Sequence, residues 1–224
     1  MVSSGTGVCR MIVTIDGPAG AGKSTVARRL AAQLGYVFLD TGAMYRAVTY
    51  AALQAKIVME DAAARLALVR GTAIEPKGAA VNVNGEDVSE PIRTAEVTAS
   101  IHHMADDPAV RELLVLRQRE WAVGRNVVTE GRDQGTVVFP DAECKIFLTA
   151  SAGERARRRQ AEREIAGETV SIDEIRAAQD LRDERDRSRT VGPLQKAADA
   201  IEVVTDGMTI DDVIASLEAL VQKK

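Results

Sequence analysis

A run of nine residues, Gly17-Pro18-Ala19-Gly20-Ala21-Gly22-Lys23-Ser24-Thr25, constrains this chain more than anything else in it. It fits G-x-x-x-x-G-K-[ST], a loop that wraps phosphate groups. Such a loop needs a strand before it and a helix after it, and both flanks fit. Met11-Ile12-Val13-Thr14-Ile15 is short, apolar and β-branched, which predicts a strand. Val26 to Leu34 predicts a helix, with apolar Val26, Leu30 and Leu34 spaced by four. The glycines let consecutive backbone N–H groups turn inward on phosphate oxygens, where a Cβ would obstruct the backbone or the approach. The helix N-terminus adds partial positive charge. Lys23 is placed to reach the β- and γ-phosphates, and the Ser24 hydroxyl to ligate Mg²⁺. An ordinary glycine turn is the competing reading, and the complete motif in its context outweighs it.

A chain of 224 residues supports one α/β domain, with room for inserted lobes. Its apolar fraction of 46% suffices for a core without disulfide staples. The 29 basic and 33 acidic residues leave a net charge of −4, which argues against coating nucleic acid or an anionic membrane. Cys9 and Cys144 lie far apart and read as free thiols in a reducing cytosol. Residues 1–10 are rich in Ser and Gly and read as a disordered tail, not a secretory signal. The chain has no apolar run long enough to span a bilayer, so a cytoplasmic protein is expected.

Strands and helices then alternate. Residues 36–39 predict a second strand ending at Asp40, and Ala43 to Leu53 a helix. A further helix is expected from Asp61 to Val69, ended by Gly71. Val81 and Val83 alternate with asparagine, and Asn84-Gly85 signals a hairpin. Residues 66–105 therefore read as a lobe inserted between the second and third core strands. Val110 to Val123 predicts a helix, residues 126–129 the third strand, 145–149 the fourth and 201–204 the last. Residues 151–190 are dominated by Arg, Glu and Asp. In the final helix, Thr209 and Asp212 suggest a capping box, and Ile210, Val213, Ile214, Leu217, Leu220 and Val221 a buried stripe. This alternation implies a parallel sheet flanked by helices, with ligands beyond the carboxyl ends of the strands. Asp16, Asp40 and the Glu130–Asp133 group all fall at such ends and are expected to share the crevice of the phosphate loop.

The loop alone does not separate kinases from other nucleotide enzymes, although an Asn-Lys-x-Asp run for guanine is absent. The arginines narrow the choice. Arg46, Arg111 and Arg132 lie near strand ends or the inserted lobe, and Arg155, Arg157, Arg158, Arg159, Arg182, Arg185, Arg187 and Arg189 stand in the charged segment. Guanidinium groups are planar, permanently charged and bidentate to phosphate, so they suit an enzyme that holds two polyanions together. An acceptor phosphate has a second pKa of about 6 and needs no general base. The only histidines, His102 and His103, are adjacent and outside every motif. A solvated helix face with i,i+4 ion pairs is the competing reading for the arginines of 151–190.

The chain resembles the bacterial cytidylate kinases of the nucleoside monophosphate kinase group. The resemblance is carried by Ile15 to Thr25, Leu39-Asp40-Thr41-Gly42-Ala43-Met44-Tyr45-Arg46, Gly85-Glu86-Asp87-Val88-Ser89 and Ile92-Arg93. It continues through Glu130-Gly131-Arg132-Asp133 to Phe139-Pro140-Asp141-Ala142, Lys145 to Leu148, Arg185 to Arg189 and Pro193-Leu194, covering about residues 11–220. It implies an α/β P-loop kinase core, an inserted monophosphate-binding lobe and a mobile lid over residues 151–190. It implies phosphoryl transfer from ATP to CMP, and to dCMP, with Mg²⁺ accompanying ATP and no tightly bound organic cofactor. ATP would lie on Gly17, Pro18, Ala19, Gly20, Ala21, Gly22, Lys23, Ser24 and Thr25, with Arg158 from the lid. CMP would be held by Thr41, Tyr45, Arg46, His102, Arg111, Arg132, Asp133, Arg182, Asp186 and Arg189. By similarity, Asp133 and Arg111 would read cytosine, Arg46, Arg132 and Arg189 the phosphate, and Asp186 the ribose 2′-OH. Lys23, Arg132 and Arg189 would act on the transferring group, and Glu130 would organise water around Mg²⁺. His102 stands where the family's pattern has a serine near the base; Ser100 is the neighbouring candidate. A monomer is expected.

Two other readings remain at this point. One is a different small-acceptor kinase, shikimate-kinase-like or adenylate-kinase-like; Arg111 paired with Asp133 suits cytosine and has no evident use for shikimate. A regulatory module that only senses ATP would not need Lys23 and the full set of arginines.

Overall fold

The computed structural model describes residues 11–77, 80–165 and 167–224. The expected tail over residues 1–10, and Cys9 with it, lies outside them. Five parallel strands form the main sheet: β1 (Ile12–Asp16), β2 (Val37–Asp40), β6 (Val127–Gly131), β7 (Cys144–Thr149) and β8 (Ile201–Val204). Their order across the sheet is β2-β6-β1-β7-β8. β1 is central and buried, as its unbroken β-branched run requires of a strand covered on both faces.

α1 (Lys23–Leu34) and α9 (Ile210–Val221) cover one face. Val26 and Leu30 of α1 meet Val213, Ile214, Leu217 and Val221 of α9 over Val13, Ile15, Ile146 and Leu148 of the sheet. Leu217 is fully buried, so Leu217→Ala would cost about 2–5 kcal/mol. The Thr209–Asp212 capping box forms, each side chain accepting from the other's backbone N–H. Ile210 departs from the expected stripe. As the first helical residue it is 46% exposed, and the burying face begins at Val213.

Between β2 and β6 lie α2 (Thr41–Gln54), α3 (Ala62–Gly71), a small antiparallel sheet, α4 (Ala95–Ser100), α5 (His102–Ala105) and α6 (Pro108–Ala122). The small sheet has three strands, β3 (Ile74–Lys77), β4 (Ala80–Val83) and β5 (Glu86–Asp87). The alternation around Asn84-Gly85 predicted only the last two. β3 contains Pro76, which suppresses the strand signal yet is tolerated on an edge. Gly71 ends α3 from inside its last turn, and Asp61 caps the start through Ala63 N–H and Ala64 N–H. Ile92 and Val88 pack with Val81 and Val83 against Ala43 and Ala47, tying this layer to α2.

Residues 151–190 form two helices, α7 (Ala152–Ile165) and α8 (Ile172–Ser188). α8 starts with a Ser171–Glu174 capping box. Its buried positions are Ile175, Gln179, Asp183 and Asp186, spaced four, four and three. That spacing is one helical face, and it is mostly polar. This face is held by polar contacts rather than by an apolar core.

Candidate active site

The register of the parallel sheet places Asp40 opposite Glu130 and Asp16 opposite Gly131. All the acidic strand ends therefore stand at one edge, together with the loop that follows β1. They divide the work. Asp16 is buried and accepts Gln134 N–H at 2.8 Å and Gly135 N–H at 2.7 Å. It pins the π-helical turn over Gln134–Val138 that follows β6. The expectation that Asp16 faces the crevice fails for that reason: both its oxygens are spent on backbone. Burial outweighs those bonds and pushes its pKa up to about 6.

Glu130 is buried and sits directly behind the phosphate loop, its carboxylate accepting the Ser24 hydroxyl at 2.7 Å. Thr41 donates to the Glu130 carbonyl at 2.7 Å. Asp40 accepts Ala43 N–H at 2.8 Å, and burial followed by the charge of Glu130 pushes its pKa up to about 6. A hydroxyl beside two crowded carboxyl groups is a hard oxygen donor set, which a divalent cation of the Mg²⁺ type would relieve of mutual repulsion. The set fits such an ion. Asp40, expected in this crevice from its place at a strand end but given no role there, stands beside Glu130 through the strand register.

Lys23 is 5% exposed and donates to the Pro18 carbonyl at 2.7 Å. Burial, and then the like charge of Arg132, lowers its pKa to about 7. Among the described residues its ammonium makes no ion pair with a carboxylate, and the charges of Glu130 and Asp16 offset its burial only in part. Arg158 on α7 donates to Glu154 at 2.9 Å and to the Thr205 hydroxyl and carbonyl at 2.9 and 2.7 Å. Its Nη1 also flanks Gly22 of the loop. Ala19 differs from the expected all-phosphate set, because its N–H is held by Asp183 of α8 at 2.9 Å.

The second half of the site is built from guanidinium–carboxylate pairs. Arg111 and Asp133 form a buried ion pair, the side chains 3% and 7% exposed. Arg111 also donates to the Ala105 carbonyl at 2.9 Å and lies 5.4 Å over the Tyr45 ring. Its Nε is buried and has no hydrogen-bond partner among the described residues. Burial raises the pKa of Asp133 against the opposing pull of Arg111. The Tyr45 phenol, pushed up to about 12 by burial, stays neutral. Gly192 lies against this pair so closely that a Cβ would touch both the guanidinium and the carboxylate, and its φ of +63° suits glycine.

Asp186 is a hub. It accepts Arg132 Nε at 2.7 Å and Arg189 Nη2 at 2.6 Å, and the charge of Arg132 leads the forces that hold its pKa below the usual carboxylate range against burial. Arg189 also reaches Asp106 at 2.6 Å. Arg182, one turn before Asp186 on α8, makes no hydrogen bond or ion pair among the described residues. Arg46 is held by Thr98 at 2.8 Å and by the Ile92 carbonyl. The structure thus joins Arg132 to the distant pair Asp186 and Arg189. His102 turns its Nδ1 to the Ala99 carbonyl at 2.8 Å and stacks on His103 at 4.1 Å.

The glycine loop thus lies beside a cluster of guanidinium groups and the buried Arg111–Asp133 pair. The profile of the family described as Cytidylate kinase matches residues 13–223. The chain belongs to the cytidylate kinase family. It is an enzyme, a CMP kinase phosphotransferase of the P-loop nucleotide-binding class. A cytidylate kinase of Rhodopirellula baltica is 52% identical over 213 residues, covering 95% of this chain and 93% of that protein. One from Geobacillus sp. (strain WCH70) is 47% identical, covering 95% of this chain and 96% of that one. Among solved structures, a shikimate kinase from Bacteroides thetaiotaomicron superposes with a TM-score of 0.52 at 16% identity, covering 95% and 98% of the two chains. That likeness concerns the fold. No helix among the described residues is long and apolar enough to cross a membrane.

Proposed function

We propose that this cytidylate kinase transfers the γ-phosphoryl group of ATP to the 5′-phosphate of CMP, and to dCMP, giving ADP and CDP or dCDP. The observation that carries the reading is the buried Arg111–Asp133 pair. Cytosine presents an N4 amino donor beside N3 and O2 acceptors. A carboxylate accepts from N4–H, as it does from cytosine in DNA grooves, and a guanidinium donates to N3 and O2. Uracil offers O4 and N3–H instead and would leave buried polar groups unpaired, which makes for strong rejection.

Arg46, Arg132 and Arg189 hold the acceptor phosphate, with Thr41 and Tyr45 beside them and His102 or Ser100 near the base. Asp186, with Arg182 next to it, accepts from the ribose 2′-OH. Incoming phosphate takes over the guanidinium bonds that Asp186 now occupies. The acceptor is already an anion and requires no general base, so the work is alignment and charge neutralisation. Lys23, Arg132 and Arg189 supply positive charge to the transferring group. Mg²⁺, held through Ser24 with Asp40 and Glu130 behind it, would neutralise the polyphosphate. Residues 66–105 act as the monophosphate-binding lobe and 151–190 as a lid that excludes water. A single chain carries both donor and acceptor residues, which supports a monomer; the buried free thiol of Cys144 suits the cytoplasm.

ATP consumption measured with Mg²⁺ and CMP, dCMP, UMP, AMP or shikimate as separate acceptors tests this. Turnover with CMP and dCMP well above UMP is expected. Preference for another acceptor would discard the cytosine assignment, and silence with all five would leave a nucleotide sensor.

A further inference from the structure

The polar face of α8 serves two places. Asp186 belongs to the acceptor cluster. Asp183, three residues earlier and only 1% exposed, belongs to the phosphate loop. One carboxylate oxygen of Asp183 accepts Ala19 N–H at 2.9 Å, and the other accepts Arg155 Nη1 at 2.6 Å. The same Nη1 donates to the Ala19 carbonyl at 2.8 Å. Both backbone polar groups of one loop residue are thus held by one buried ion pair that also joins α7 to α8. Gln179 closes the arrangement. Its Nε2 donates to the Arg155 carbonyl at 3.2 Å and lies over Gly20, where a Cβ would stand 2.5 Å from it and 3.2 Å from Arg155 Cβ. Gly20 has φ +77°, so the loop's backbone shape and the contact both require glycine there.

An apolar contact would join the helices to the loop without desolvating two charges. What the ion pair adds is direction: it fixes the tilt of the peptides on both sides of Ala19. The next amides, from Gly20 onward, are those that turn toward phosphate. Arg158 follows Arg155 by three residues on α7 and already borders Gly22. Holding Arg155 therefore also sets where Arg158 meets the donor.

We propose that Asp183, acting through Arg155, is a positioning residue for the ATP site, latching the root of the lid onto Ala19 of the phosphate loop. This rests on the reading of that loop as the donor site. It makes residues 151–190 a lid with a fixed root, in which the far ends of α7 and α8 are the parts free to move.

Asp183→Asn preserves shape but places an amide NH₂ donor against the Arg155 donor, so the latch opens without a cavity. Amide exchange of Ala19, followed by NMR in the nucleotide-free protein, should quicken about tenfold, since the bond to an ionised acceptor is lost. The KM for ATP should rise about tenfold while that for CMP stays within about twofold, because only the donor side is re-aimed. Gln179→Ala should move both readouts the same way by about threefold. It decides the matter by the same criteria if Asp183→Asn does not fold. Unchanged Ala19 exchange, or equal rises in the two KM values, would overturn the latch. If the parent protein failed to phosphorylate CMP, the proposed function would fall, but Ala19 exchange and the thermal shift produced by Mg²⁺·ATP would still test the latch.

Discussion

The two halves of the proposed site would hold anions by different means. On the donor side the chain uses backbone: glycine-rich amides, a helix N-terminus and one lysine whose nearest bonded partner is the Pro18 carbonyl. On the acceptor side it uses side chains: three guanidinium groups and their carboxylate partners, Arg111 with Asp133 and Arg132 with Arg189 around Asp186. Backbone amides are fixed by the fold and ready without rearrangement. Guanidinium groups already paired must exchange one anion for another when substrate arrives. The donor half is therefore preorganised and the acceptor half is preloaded, and the two should respond differently to the loss of one residue.

The largest effect should come from the donor half. Lys23→Ala removes the only cation built into the loop, and kcat should fall by about a thousandfold or more. Stability should hold or rise, because an ammonium deprived of water and of a carboxylate partner is removed. Turnover assays combined with thermal unfolding check both parts. A large loss of stability would show that Lys23 supports the fold, and retained turnover would end its assignment.

The acceptor half should show the opposite pairing of effects. Asp133→Ala leaves Arg111 buried and uncompensated, so stability should drop by about 3–5 kcal/mol, read from urea unfolding. The kcat/KM for CMP should fall about a hundredfold and the preference for CMP over UMP should collapse, while the KM for ATP stays near its parent value. A change confined to the ATP constant would dissolve the distinction between the halves.

Asp186→Ala should be milder. The ratio of kcat/KM for CMP to that for dCMP should shrink by up to about tenfold, since the contact proposed to the 2′-OH, which CMP has and dCMP lacks, is lost. Arg132 and Arg189 lose their shared partner but stay near the surface, at 16% and 12% exposure, where water compensates in part. An unchanged ratio would remove Asp186 from the ribose.

The same contrast explains how much of the molecule was legible in its sequence. The donor loop is contiguous, and local rules suffice: a strand, a glycine turn and the α1 helix. The main sheet was equally plain, since each strand is a short, largely apolar run bounded by turn or helix signals. The acceptor half is assembled from residues far apart, such as Arg111 with Asp133 and Arg132 with Asp186. Composition shows that arginines are abundant but not which carboxylate each one meets, and only the family resemblance brought them to one site. Residues whose partners are backbone atoms were the hardest. Asp16 reads as a strand-end acid facing a ligand, yet its oxygens are used by Gln134 and Gly135. Asp183 reads as one more charge on a solvated helix until its contact with Ala19 is seen. β3 was hidden by Pro76, whose missing N–H is harmless only because that strand is an edge.

The smallest effect concerns protons, and it separates the halves without any mutation. Lys23 titrates near 7 in the free protein, lowered from 10.5 by burial and then by Arg132. Bound polyphosphate would favour its charged form and raise that pKa again. ATP binding should therefore take up a proton at pH 7–8. The sign follows: the charged lysine prevails below pH 7 and fades above it, so affinity for Mg²⁺·ATP weakens as pH rises. With a free-state pKa of about 7, the charged fraction falls about fivefold from pH 7 to pH 8, and the dissociation constant should rise by the same factor. CMP binding, as proposed, would rely on arginines that keep their protons throughout this range, and should be nearly flat. Calorimetry of each nucleotide in buffers of different ionisation enthalpy reads the uptake directly. Proton uptake with ATP and little with CMP would confirm that one half waits for an anion while the other trades one for another. Equal uptake for both would mean that Lys23 is not the group that sets the donor half apart.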